Sequence, residues 1–162
     1  MNPKEKYFWD LTGFLVVPQV LTADEVQEAN DAIDAYSEHL LKQGSEGPQD
    51  GKQYVFEGKI VRTDNAYPYF LKIPEPISTP FRKMLVQSQI VERLIEMCGP
   101  GFRLDHGPEL IAHTRGVKGL RLHGSGNRHK PYVAYHHQGG KSSCGGVTVS
   151  WQFADVRPGD GG

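Results

Sequence analysis

The chain has 162 residues, 38% hydrophobic and 23% charged, which suits one soluble globular domain with a buried core and leaves too little for a second full domain. A formal net charge of -1 provides no basic field to hold nucleic acid or an anionic membrane surface. Cys98 and Cys144 are the only cysteines, too few for a disulfide framework or a Cys-based zinc site; with no signal-peptide run at residues 1–10 and no stretch of membrane-spanning length, a soluble protein of the reducing cytoplasm is expected.

In chain order, Phe14, Leu15, Val16 and Val17 form a short apolar run closed by Pro18. Thr22 followed by Glu25 has the form of a capping box, and Val26, Ala29, Ile33, Tyr36 and Leu40 recur at steps of three and four. This pattern predicts a helix to about residue 43 with one apolar stripe that packs on something flat. The polar, Gly/Pro-rich residues 44–51 read as a loop. Residues 52–56 and 59–63 are β-prone and flank Glu57 and Gly58, predicting a hairpin with a two-residue turn.

Pro80 suits the first position of a helix, where its missing N–H is no loss. Phe81, Met84, Leu85, Val91, Leu94, Ile95 and Cys98 then carry helical periodicity to the stop at Gly99 and Pro100, as one helix or two short ones. Beyond Phe102 the period shifts towards two. Residues 109–113, 119–123 and 147–154 are strand candidates, the last with Val147, Val149, Trp151 and Phe153 on one face. The chain closes on a Pro/Gly cluster of the kind that joins strands, so a further strand-bearing segment is expected after it.

Between Glu109 and Asp155 there is no acidic residue, while Arg115, Lys118, Arg121, Arg128, Lys130 and Lys141 accompany five histidines. Such a stretch reads either as a pocket for a small dicarboxylate or as a solvated loop. His123 ends a strand pattern just before a loop, where a rigid element can present an imidazole to a metal. His136 and His137 are adjacent, so on a strand they face opposite ways and rarely bind one ion; a loop is the favoured reading. His106 and Glu109 are separated by Pro108, which prevents a helix from placing them together. His39, His113 and His129 have no evident partner in the sequence. Cys144 lies in a Gly-rich segment without a nucleophile-elbow context.

Three further observations carry a resemblance. Residues 7–22 run from Tyr7, Phe8 and Trp9 through Gly13, Phe14 and Pro18 to Thr22. Residues 99–107 and then Leu122, His123 and Gly124 follow, and finally residues 146–162, with Trp151 before Asp155, Val156, Pro158, Gly159, Asp160, Gly161 and Gly162. In this order they resemble the phytanoyl-CoA dioxygenase family of iron(II)- and 2-oxoglutarate-dependent oxygenases, nearly end to end, and the last piece is the most specific.

The resemblance implies an α+β chain built on a double-stranded β-helix, a cupin-like jelly roll. Residues 1–100 would form its helical and hairpin support, starting with an aromatic-Gly-Phe strand, and residues 101–162 the start of a barrel left incomplete at the C-terminus. It implies a single domain over residues 1–162, with helices packed on the sheet. It also implies Fe(II) held by a His-x-Asp/Glu motif and a later His, 2-oxoglutarate as cosubstrate, and hydroxylation of an unactivated C–H in a small organic or acyl substrate.

Residue by residue, His123 matches the first iron ligand and Trp151 a position lining the 2-oxoglutarate pocket. Ser125 stands where the family has its carboxylate, as in the related halogenases, where chloride fills that place. The later His and the cosubstrate-clamping Arg fall beyond Gly162 in the family pattern. Two other functions compete with the oxygenase: a degenerate, metal-free binding or structural module of the same fold, and a cupin-like metal-dependent isomerase or hydrolase using His106, His113 and His123.

Overall fold

A computed structural model describes residues 1–42, 53–56, 59–62, 74–105 and 131–159. The elements, in order, are helices α1 (Pro3–Thr12) and α2 (Ala23–Lys42), strands β1 (Gln53–Phe56) and β2 (Lys59–Arg62), helices α3 (Thr79–Leu85) and α4 (Ser88–Cys98), a 3₁₀ turn at Pro131–Val133, and strands β3 (Tyr135–Gln138) and β4 (Lys141–Cys144). They fall into two compact units. Among the described residues no helix is long and apolar enough to cross a membrane.

The first unit is formed by residues 1–20, 86–103 and 120–151. Its opening segment is helical: the strand expected within residues 7–22 is replaced by α1 over Tyr7, Phe8 and Trp9, and residues 14–17 belong to no strand. The cause is local. The Asn2 side chain accepts the Glu5 N–H at 2.9 Å while the Glu5 carboxylate accepts the Asn2 N–H at 3.0 Å. Pro3 occupies the first helical position, so three of the free donors of the first turn are dealt with at once. Gly13, at φ 75°, ends the helix by donating its N–H to the Trp9 carbonyl at 2.8 Å, a left-handed turn that glycine makes without steric cost.

Helix α4 starts on Gln87, whose side-chain oxygen accepts the Gln89 N–H at 2.7 Å and whose amide donates to the Val20 carbonyl at 3.3 Å. It ends at Gly99, φ 91°. Arg93 of α4 pairs with Glu5 of α1, and this guanidinium, with the Asn2 N–H, holds the Glu5 carboxyl below its ordinary range. The unit's third component is a hairpin in which Tyr135 faces Cys144 and His137 faces Ser142, turned by Gly139 and Gly140 at φ 59° and 75°. Two successive positive φ values match the twist of the strands they join. Strand β4 lies against α4.

The second unit comprises residues 21–85, 104–119 and 152–162. The capping box at its start is complete: Thr22 N–H donates to the Glu25 carboxylate at 2.8 Å and Glu25 N–H to Thr22 Oγ1 at 3.2 Å. Helix α2 runs to Lys42, as the periodicity predicts, and buries Ala29, Ala32 and Tyr36. It packs on α3 and on β2, the flat surface its stripe requires. Residues 79–98 form two helices, with Pro80 in second position in α3 rather than first, still within the turn whose N–H groups have no helical partner.

Phe81 and Met84 of α3 are buried, and the Phe81 ring meets Phe153 edge-on with centroids 6.4 Å apart. Asn30 of α2 donates to the Phe153 carbonyl at 3.1 Å, so Phe153 is held by both its ring and its backbone. The β1–β2 hairpin pairs Phe56 with Lys59, leaving the two residues expected for its turn.

The described residues thus hold four short strands in two separate antiparallel pairs. Residues 109–113 and 119–123 lie outside them. At 147–154, where a strand is expected, no ladder with another described residue is formed. Their alternation persists in burial, with Trp151 and Phe153 half-buried and Gln152 and Ala154 exposed. Periodicity dictates which side chains turn inward, whereas a ladder also needs a neighbouring strand's backbone.

Candidate functional site

Of the two residues to which the resemblance gives a role, Trp151 is described and His123 is not. Trp151 is half-buried. On the same alternating face Val147 and Val149 are exposed, so of these three side chains the indole is the most covered. His123, with Ser125, His106, Glu109, His113 and His129, lies outside the described residues, as does the side chain of His39. Among the described residues no group of three His, Cys, Asp or Glu side chains could hold a metal ion.

The histidines that the structure does place are His136 and His137, on β3 rather than in a loop. They alternate across the hairpin as strand neighbours must. His137 enters a polar chain that sequence spacing does not reveal. Its Nδ1 lies 3.0 Å from Ser142 Oγ; Tyr135 OH lies 2.9 Å from the same Oγ and 3.0 Å from Asp10 Oδ1 on α1. Trp9 supports Tyr135 from the side, ring centroids 5.5 Å apart at 69°, and Lys6 Nζ is 3.5 Å from the Asp10 carboxylate. Only the spacing of Tyr135 and His137, two apart on one strand with His137 opposite Ser142, is a local signal; Asp10 is 125 residues from Tyr135.

Burial pushes the Asp10 carboxyl up, but hydrogen bonds from Tyr135 and Ser142 and the nearby Lys6 charge outweigh it, and the group is held below the usual carboxylate range. Asp10 is therefore an ionised acceptor near neutral pH and takes the one Tyr135 proton. Ser142 Oγ also lies within hydrogen-bond reach of His137 Nδ1. These contacts hold one edge of the imidazole and fasten the β3–β4 hairpin to α1.

A depressed folded pKa contributes stability above the ordinary carboxylate range, and that contribution disappears as pH falls through the lowered value. Asp10→Asn is expected to flatten the acid limb of a plot of urea midpoint against pH. An acid limb of equal steepness in the parent and the variant would show that this carboxylate gains nothing from folding.

Compared with known protein families, characterised proteins and solved structures, the chain matches none.

Proposed function

We propose that the chain carries part of an iron(II)- and 2-oxoglutarate-dependent oxygenase that hydroxylates a small organic or acyl substrate, on a double-stranded β-helix of the phytanoyl-CoA dioxygenase type. The observation that carries this reading is the ordered set of motifs ending in residues 146–162, in which an alternating segment centred on Trp151 leads into Asp155, Val156, Pro158, Gly159 and Asp160. The half-buried position of Trp151 between exposed neighbours supports a wall residue, since an indole lining a cavity must face inward.

The His123 imidazole is a good ligand for iron(II), whereas the hydroxyl of Ser125 is a poor one. Iron with 2-oxoglutarate would supply oxidative decarboxylation coupled to C–H hydroxylation. The chain's own part would be to hold the metal through His123 and to exclude water from the cosubstrate through Trp151.

Ser125 favours a second reading, a halogenase-like relative in which chloride occupies the place of the carboxylate. Without such an anion, it favours a metal-free module of the same fold. One imidazole binds iron loosely, because ligand number sets affinity.

Anaerobic calorimetric titration of Fe(II) into the chain with 2-oxoglutarate is expected to give weak saturable binding, reduced at least about tenfold in His123→Ala. Ser125→Asp should tighten it by restoring a carboxylate, and added chloride should tighten binding in the parent but not in Ser125→Asp. Trp9 and Trp151 are the only tryptophans and Trp9 is buried, so quenching by 2-oxoglutarate should vanish in Trp151→Phe. Identical isotherms for the parent and His123→Ala would overturn the oxygenase reading.

A further inference from the structure

Cys98 and Cys144, 46 positions apart in sequence, close helix α4 and strand β4, two elements that lie against each other in the first unit. Both are free and half-buried. We propose that they form an intramolecular disulfide when the chain meets a low-molecular-weight disulfide such as oxidised glutathione, making the α4–β4 contact a thiol-disulfide switch independent of the iron site.

The mounting of Cys144 is stiff. The next residue, Gly145, donates its N–H to the Ala134 carbonyl at 3.3 Å and lies so close to the 3₁₀ turn that a Cβ there would stand 1.5 Å from the Tyr132 carbonyl oxygen. Cys144 Sγ meets the Gly146 carbonyl at 2.8 Å. In the hairpin register Cys144 stands opposite Tyr135, the residue tied to Trp9 and Asp10, so the strand end that carries it is fixed from both directions. Cys98 is the last residue of α4, directly after the buried Met97 and before the turn at Gly99. Burial, and secondarily the charge of Cys144, push the Cys98 thiol up.

The exchange balances in two steps. One protein thiolate attacks the glutathione disulfide, forming a mixed disulfide and releasing one glutathione thiolate. The other protein thiol loses its proton to solvent and attacks the protein sulfur of the mixed disulfide, and the second glutathione leaves. Two protein thiols are oxidised by two electrons and one glutathione disulfide is reduced to two thiols. Because a thiolate is the nucleophile, the raised Cys98 predicts that ring closure accelerates as pH passes the ordinary thiol range.

The test is equilibration of the 162-residue chain with oxidised and reduced glutathione, followed by acid quenching and intact-mass analysis. The expected product has lost two hydrogens and yields a peptide linking Cys98 to Cys144. Cys98→Ser and Cys144→Ser should each accept at most one glutathione and form no internal link. Closure constants in buffer should exceed those in guanidinium by at least about tenfold, the signature of thiols held together by the fold. Two glutathione adducts on the parent, an unchanged mass, an intermolecular dimer, or equal closure with and without denaturant would each overturn the proposal.

Discussion

Trp9→Ala is expected to lower the stability of the first unit by about 3–5 kcal/mol, the usual cost of deleting a buried indole. Trp9 is 5% exposed and takes the edge of Tyr135 at 5.5 Å. Lys6 Nζ lies 5.8 Å from its ring centroid, and its carbonyl receives the N–H of Gly13, which ends α1. Removing the ring opens a cavity under Tyr135 and loosens the hydrogen bonds from Tyr135 to Asp10 and Ser142, so the loss reaches both α1 and the β3–β4 hairpin. Since domains are stable by only about 5–15 kcal/mol in total, the folding transition should move far in urea or vanish. Trp9→Phe keeps an aromatic edge and should cost less, about 1–2 kcal/mol. A midpoint for Trp9→Ala within error of the parent would show that the indole is not the keystone of this unit.

The contrast between Trp9 and the capping boxes shows which parts of the fold are legible in sequence. Thr22 and Glu25 announce α2 because both partners of the cap lie within one turn, and Gly99 announces the end of α4 for the same reason. The β1–β2 hairpin is legible through its two-residue turn. The start of α1 was equally local: Asn2, Pro3 and Glu5 spell a cap, proline and return carboxylate. That local signal stands against the family resemblance, which implies an aromatic-Gly-Phe strand in the same segment.

Gly139 and Gly140 likewise signal the β3–β4 turn, but the polar residues Lys141, Ser142 and Ser143 carry little β propensity, so the hairpin exists through register and through its fastening to α1. Residues 147–154 fail in the opposite way: the alternation is clear and its inward face is real at Trp151 and Phe153, yet periodicity names no partner strand. The candidate site divides similarly. His123 and Trp151 are legible only as positions in a motif, and the chain from Asp10 through Tyr135 and Ser142 to His137 is invisible until folding brings α1 to the hairpin.

Gly145→Ala is expected to be the most damaging single-methyl change in the described residues, at least about 3 kcal/mol, because the added carbon has nowhere to go. Its Cβ would lie 1.5 Å from the Tyr132 carbonyl oxygen, 2.5 Å from the Tyr132 carbonyl carbon and 2.9 Å from Val133 Cα. All three are backbone atoms, so no side-chain rotation relieves the overlap. Either the 3₁₀ turn at Pro131–Val133 or the end of β4 must move, and the hydrogen bond from Gly145 to Ala134 goes with it.

The adjacent Gly146 is the internal control. A Cβ there would meet the Val133 side chain at 3.4 Å, an ordinary contact, so Gly146→Ala should be nearly neutral. In a Trp151→Phe background Trp9 is the sole indole, and displacement of Tyr135 in Gly145→Ala should shift its emission to the red as water reaches the ring, while Gly146→Ala leaves the spectrum unchanged. Equal stability and spectra for the two alanine variants would refute the close approach of the Gly145 backbone to the turn.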